Sequence, residues 1–487
     1  MRPFAPPPLP LSRRAILERS ALGIGGIAAR MLLSDERRAR GDEPPAIDPV
    51  HPLAPRPPHL PGKAKRLIVL FQYGGPSQVD LFDHKPLLER LAGQPVPESI
   101  KAVSDEVGGV INHCKDSILC PPWSWARHGE SGLWVSDRLP LTAAHADRLC
   151  LVRSMHCDSS NHAPATWQMN TGSILGGKPA LGGWLTYGLG SENADLPGYV
   201  LLFEVGGLGG SANWSNGFLP AAFQGTRFRH EGPALVNLSP PAGLSRVQRP
   251  TIDLAQDFNR RHLESRPGRD DLEGRIASYE LAWRMQSAAG EVGDLSGETA
   301  ETLALYRCDD PHRPTASYGR MCLLARRMVE RGVRVVQLYN AVDKYGWDGH
   351  DKSHDYHERN ARQTDAPTAA LLADLERRGL LDETLVVWGG EFGRTPMEQG
   401  DGGRNHNPYG FTVWLAGGGV RGGQAIGATD EIGLRAVEDR QHVGDLHATI
   451  LAAFGLDHER LVFPHDGRDE RLTGVLGSAR PIPGVLG

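Results

Sequence analysis

Three absences narrow the field. The chain has no excess of basic residues: 53 Lys and Arg stand against 58 Asp and Glu, a formal net charge of −5. That excludes a protein gripping nucleic acid by neutralising phosphates. It has no run of eighteen apolar residues, which excludes a transmembrane helix. Cysteine is scarce, six residues in 487, at Cys114, Cys120, Cys150, Cys157, Cys308 and Cys322, and their positions make no zinc-finger spacing. Cys114 and Cys120 are the nearest local pair, but buried free thiols explain the six equally well.

What remains is a long chain with 40% hydrophobic and 23% charged residues, enough to bury a core and stay soluble. The 59 glycines and 37 prolines indicate many loops but fall short of disorder. Nineteen histidines make metal chemistry worth searching for. At the N-terminus, Ser12-Arg13-Arg14-Ala15-Ile16-Leu17 reads as a twin-arginine export box, followed by a short apolar run from Ala21 to Leu33. This predicts a signal over 1–41 and export to the periplasm or cell envelope. The proline-rich stretch 42–62 reads as an extended linker, and 63–487 as one domain.

Within that domain, Arg66-Leu67-Ile68-Val69-Leu70-Phe71 is a short continuous apolar run of the kind buried on both faces of a parallel sheet. Similar runs recur at 149–152, 199–203, 333–338, 384–388 and 411–415. Helical patterns lie between them at 252–263, 272–286, 319–331, 368–378 and 445–454. The alternation predicts an α/β fold with a mostly parallel central sheet and helices on both faces. Segments 104–135 and 205–250 read as irregular insertions.

In such sheets, chemistry collects in loops beyond the carboxyl ends of the strands. After the 333 run comes Tyr345-Gly346-Trp347-Asp348-Gly349-His350-Asp351, then His354 and His357, a dense set of oxygen and nitrogen ligands for a divalent ion. After the 384 run, Glu391 and Arg394 suit a metal ligand beside an anion binder. His406 falls just before the 411 run, and Arg404 lies beside it. After the 149 run, Asn161 and His162 open a helix whose positive end is a natural seat for an anion.

These segments together resemble an exported bacterial family called domain of unknown function 1501, within the alkaline phosphatase and sulfatase superfamily. The resemblance rests on Gly74-Gly75-Pro76-Ser77 with Asp80-Leu81-Phe82-Asp83, Trp347-Asp348-x-His350 and Gly390-Glu391-Phe392-Gly393-Arg394-Thr395-Pro396. Ala416-Gly417-Gly418-Gly419 and Asp445-Leu446-His447-Ala448-Thr449 complete it. It implies an alkaline phosphatase/sulfatase-like fold with a metal centre at the strand ends, hydrolysing phosphate or sulfate esters. Carried over, Asp348, His350, His357, Glu391 and His406 become metal ligands. His162 and Arg394 become catalytic, and Asn161, Ser77 and Arg404 bind substrate. The chain departs from the pattern at three places, the first being Phe392, which stands where active relatives have the His of an Asp-His pair. His162 stands where sulfatases carry their nucleophilic cysteine, and Gln72 stands where active relatives have a metal-binding Asp. The implied cofactor is a divalent metal, zinc first, with calcium or manganese also allowed; the implied partner is an anionic small-molecule or glycan ester. Two readings stay open: a metal-dependent ester hydrolase without the usual nucleophile, and a non-catalytic exported binding protein for an anionic glycan or a protein partner.

Overall fold

The computed structural model describes residues 47, 51–101, 109–205, 208–236, 243–265, 270–340, 345–474 and 478–487. The export box and its apolar run lie outside them. The elements that position the site are, in chain order, strands β1 (Arg66–Phe71), β2 (Cys150–His156), β3 (Tyr199–Phe203), β4 (Thr226–Phe228), β5 (Val335–Tyr339), β6 (Thr384–Gly389), β7 (Gly393–Gln399), β8 (Gly403–Asn407), β9 (Phe411–Ala416), β10 (Gln424–Ile426) and β11 (Gln441–His442). The helices are α1 (His162–Thr171), α2 (Leu181–Leu189), α3 (Ser245–Glu264), α4 (Asp270–Gly293), α5 (Arg313–Glu330), α6 (Ser353–Arg377) and α7 (Val443–Ala453).

The central sheet runs β10-β2-β9-β6-β1-β5-β3-β4, with β11 also pairing with β2. Every pairing is parallel except those of β9, which is antiparallel to both β2 and β6. The reversal matters for function. β1, β2, β3, β5 and β6 all end on one edge, and β9 begins on that same edge. Loops that follow five strands and precede a sixth are thereby gathered together.

The apolar runs form strands because both sheet faces are covered. Successive side chains point to opposite faces. Ile68, Leu70, Val336, Leu338, Val386 and Trp388 join a core with α5, α6 and part of α4. Leu67, Phe71, Val335, Tyr339, Leu385 and Val387 join a second core with α2 and α7. Each such fully buried aliphatic side chain contributes about 1.5–3 kcal/mol.

Differences from the sequence reading have local causes. Segment 205–250 is not wholly irregular: Thr226–Phe228 adds the edge strand beside β3. Within 104–135, Trp125–His128 pairs antiparallel with Leu133–Ser136. α6 begins at Ser353, fifteen residues before the predicted start, and carries Pro367 in its interior. All six cysteines are free; burial pushes the Cys150 and Cys157 thiols up to about 12.

Candidate metal centre

Four side chains meet at the edge where the strands end. His162 opens α1 after β2, Asp348 and His350 lie on the loop after β5, and His406 sits in β8 just before β9. One ligand atom from each falls within 4.8 Å of all the others. His162 Nε2 is 3.1 Å from Asp348 Oδ2, and His350 Nε2 is 3.0 Å from Asp348 Oδ1. His406 Nε2 is 3.3 Å from Asp348 Oδ1 and 2.9 Å from His350 Nε2.

The outer nitrogen of each ring decides what the inner one can do. His406 Nδ1 lies 2.6 Å from the Ser160 carbonyl, which can only accept, so that nitrogen carries the proton. His350 Nδ1 faces Gln399 Oε1 at 2.5 Å, and His162 Nδ1 faces Glu391 Oε1 at 2.5 Å. In a neutral ring, the second nitrogen then offers a lone pair. All three Nε2 atoms point at one spot beside the Asp348 carboxylate. His162 Nε2 is buried, and its partner is the Asp348 carboxylate of the cluster itself. Imidazoles oriented by an oxygen behind them and converging on a carboxylate are a donor set for a divalent transition-metal ion. Calcium, which prefers an all-oxygen shell, does not fit three nitrogens.

Electrostatics favour a cation here. Burial would raise the Asp348 carboxyl, but His162, His350, His406 and the Arg394 charge hold it far below the usual carboxylate range. Burial pushes His406 down to about 3, so its ring is neutral and ready to coordinate. For His162 burial also lowers the value, but the Asp348 and Glu391 carboxylates outweigh it and the net direction is up. Phe392 and Tyr73 pack against His162, with ring centroids 4.9 and 5.5 Å away, and so fix its plane.

Backbone geometry makes the convergence achievable. Gly74 has φ +106°, and a Cβ there would lie 2.4–2.7 Å from backbone atoms of Tyr345, Trp347 and Asp348. The β7–β8 hairpin clamps the same loop from the other side: Arg404 N–H donates to Gly349 O and Ser353 N–H to Gly402 O. A Cβ on Gly403 would fall 1.7 Å from the His350 carbonyl oxygen. Gly74→Ala is therefore expected to displace Asp348, costing about 2 kcal/mol of stability or more. Thermal melts with and without metal test this; an unchanged melt and unchanged metal response would mean that the loop does not depend on Gly74.

Several predicted roles change. Glu391 is not brought into the ligand set: it is wholly buried, bonded to His162 Nδ1 and to the Gly74 N–H, and so orients a ligand. His162, expected to act on substrate, instead turns its Nε2 into the cluster beside Asp348. His357 has no free nitrogen: Nδ1 donates to Ser353 O at 2.8 Å and Nε2 accepts from Ser77 N–H at 2.9 Å. Arg394 is wholly buried, donating to the carbonyls of Gly74, Gly75 and Arg404 and, at 2.5 Å, to Asp348 Oδ1. It braces the site and presents no surface to solvent. Arg404 is likewise buried in an ion pair with Asp80, Nε to Oδ2 2.8 Å. Burial would raise the Asp80 carboxyl, but Arg404 and neighbouring imidazoles hold it down at about 2. Ser77 is fully buried behind His357. Of the expected substrate binders, only Asn161 is exposed; it is the N-cap of α1, and its side chain makes no capping bond. Gln399 and Tyr73 had no signal in the sequence, since neither belongs to a ligand-like spacing.

The side of the cluster formed by His350, 40% exposed, opens to solvent, whereas His162 is 8% exposed. A ligand would therefore enter past His350 toward the start of α1.

The family described as "Protein of unknown function (DUF1501)" matches residues 64–486. No curated protein matches. Among solved structures, the chain is similar to the lipoteichoic acid synthase LtaP from Listeria monocytogenes, at 11% identity and TM-score 0.37, covering 87% of this chain and 78% of that one. It is similar to the PsFucS1 sulfatase from Pseudoalteromonas sp., at 12% identity and TM-score 0.35, covering 86% and 73%. A third is a protein of the alkaline phosphatase superfamily from Vibrio parahaemolyticus, at 12% identity and TM-score 0.33, covering 86% and 74%.

Proposed function

The chain belongs to the DUF1501 family, and from that premise we propose that it is a divalent-metal-dependent hydrolase of phosphate or sulfate esters, acting on an anionic small molecule or glycan. The observation that carries this reading is the convergence of His162, His350 and His406 Nε2 with the Asp348 carboxylate. A bound ion, zinc first, would polarise an ester oxygen and lower the pKa of water.

The residues of the chain supply the rest. Asp348 and Glu391 against Arg394 leave the bare cluster one unit negative, which attracts a divalent cation and turns one unit positive once it is held. A net positive, partly exposed centre suits an anionic ester. The first N–H groups of α1, at His162 and Ala163, have no intrahelical acceptor and add positive potential on the same side. The Asn161 amide, exposed and free of a capping role, is the side chain this reading assigns to the ester's oxygens.

One ion per chain is expected. Gln72, at the end of β1, cannot hold a second. Its Oε1 accepts from Asn340 Nδ2 at 3.0 Å and from Trp347 Nε1 at 3.1 Å, and its Nε2 donates to Leu70 O and the Tyr318 hydroxyl. Assay of p-nitrophenyl phosphate and p-nitrophenyl sulfate should give turnover that is lost on chelation and restored by one equivalent of zinc or manganese. The second reading, a binding protein for an anionic glycan, is favoured by one observation: the first residue of α1 is a histidine in the ligand set, with no hydroxyl or thiol there to attack. Metal-loaded protein that retains a sulfated glycan but turns over neither ester would support that reading and sink the first.

A further inference from the structure

At the opposite edge of the sheet, α3 and α4 roof a cavity of about 680 Å³, a size that holds a metabolite-sized molecule. Its other walls are residues 51–55 and the loop 191–194. Glu192 of that loop pairs with Arg66, the first residue of β1. The cavity therefore lies at the amino ends of the strands, away from the metal centre.

Much of its lining is apolar, with Pro52, Leu53, Ala194, Ala222 and Leu281 facing the space. The charged groups in the walls are almost all matched. Arg249 sits between Asp253 at 2.7 Å and Glu280 at 3.1 Å. Arg260 pairs with Asp257, and Glu192 is taken by Arg66. Arg284 is left over. Its Nε is buried without a hydrogen-bond partner, and its guanidinium makes no ion pair among the described residues. A guanidinium cannot shed its proton at ordinary pH, so an unpaired one beside apolar walls calls for an anion from outside the chain.

We propose that this cavity binds an amphipathic monoanion, an apolar body carrying a single carboxylate, with the carboxylate on Arg284 and the body against Leu53, Ala222 and Leu281. The guanidinium supplies charge-assisted hydrogen bonds, and the other charged wall groups are already matched within the chain, which leaves one cationic anchor for one carboxylate. This site is independent of the metal centre.

Calorimetric titration of the full chain with dodecanoate tests it. One saturable site per chain is expected, weakened about tenfold or more by Arg284→Met. It should be blocked by Leu281→Trp, which fills the cavity without touching the charge. Dodecylamine, with the same tail and the opposite head group, should not bind. Metal content should stay unchanged in both variants, so a failure here is separable from a failure of the metal centre. Absence of saturable binding to wild-type protein would overturn the proposal. So would equal affinity in the wild type and Arg284→Met, which would mark non-specific adsorption. Should Arg284→Met fail to fold, undiminished binding by Leu281→Trp would overturn it on its own.

Discussion

Asp348→Asn is expected to abolish high-affinity metal binding while leaving a folded chain. Asp348 is the only one of the four converging side chains that carries a negative charge, and all three Nε2 atoms lie within 3.3 Å of its carboxylate oxygens. Loss of an outer partner typically costs about 10–100-fold in metal affinity; loss of the charged ligand itself should exceed that. The wild type should gain about 2.7 kcal/mol of stability at a free metal concentration of 100 times Kd. Asp348→Asn should show no such gain at the same concentration. Thermal melts across a zinc titration read both, and an equal metal-dependent shift in the variant would remove Asp348 from the ligand set.

Arg394→Met should be the most damaging single change near the site. The guanidinium is wholly buried and ties the Gly74, Gly75 and Arg404 carbonyls to Asp348. Removing it leaves the largely buried Asp348 carboxylate short of its counter-charge; deleting one partner of a fully buried pair costs about 3–5 kcal/mol, so the loss here should approach that range. Urea unfolding measures this directly. The same substitution would have a different signature if Arg394 bound substrate: stability near wild type and a raised KM for an anionic ester. That outcome would contradict the bracing role.

The parallel sheet was readable because its strands are buried on both faces, which forces continuous apolar runs such as Leu385-Val386-Val387. The edge of the sheet carrying the site was readable for the same reason, since parallel strands all end together. α6 was read too short. Its first half carries Asn360, Gln363, Thr364 and Asp365, polar yet buried, so the apolar period fades where the helix borders the site. Pro367, interior to the helix, interrupts the pattern further. α2 went unread because its glycines, Gly182, Gly183 and Gly188, lower helix propensity. Tight packing explains them: a Cβ on Gly182 would lie 2.6 Å from the Tyr199 ring.

Within the site, spacing along the chain identified which loops meet but not which atoms face inward. Asp348, His350 and His406 came together as expected. Glu391 and His162 exchanged places. Both lie at strand ends, and the difference is one of depth, set by the Gly74 N–H that holds the Glu391 carboxylate behind the imidazole. Arg394 and Arg404 looked like anion binders because arginine near candidate metal ligands has that appearance in sequence. Their partners are carbonyls and carboxylates of distant segments, which no local pattern reveals.

The central claim is that His162 is a metal ligand held in place by Glu391. Metal analysis of purified wild type and His162→Ala, each loaded with zinc and then dialysed, tests it most directly. The account predicts one zinc per chain in the wild type and a substoichiometric residue in His162→Ala, with both proteins folded by circular dichroism. One zinc per chain retained by His162→Ala would contradict it and return His162 to the substrate.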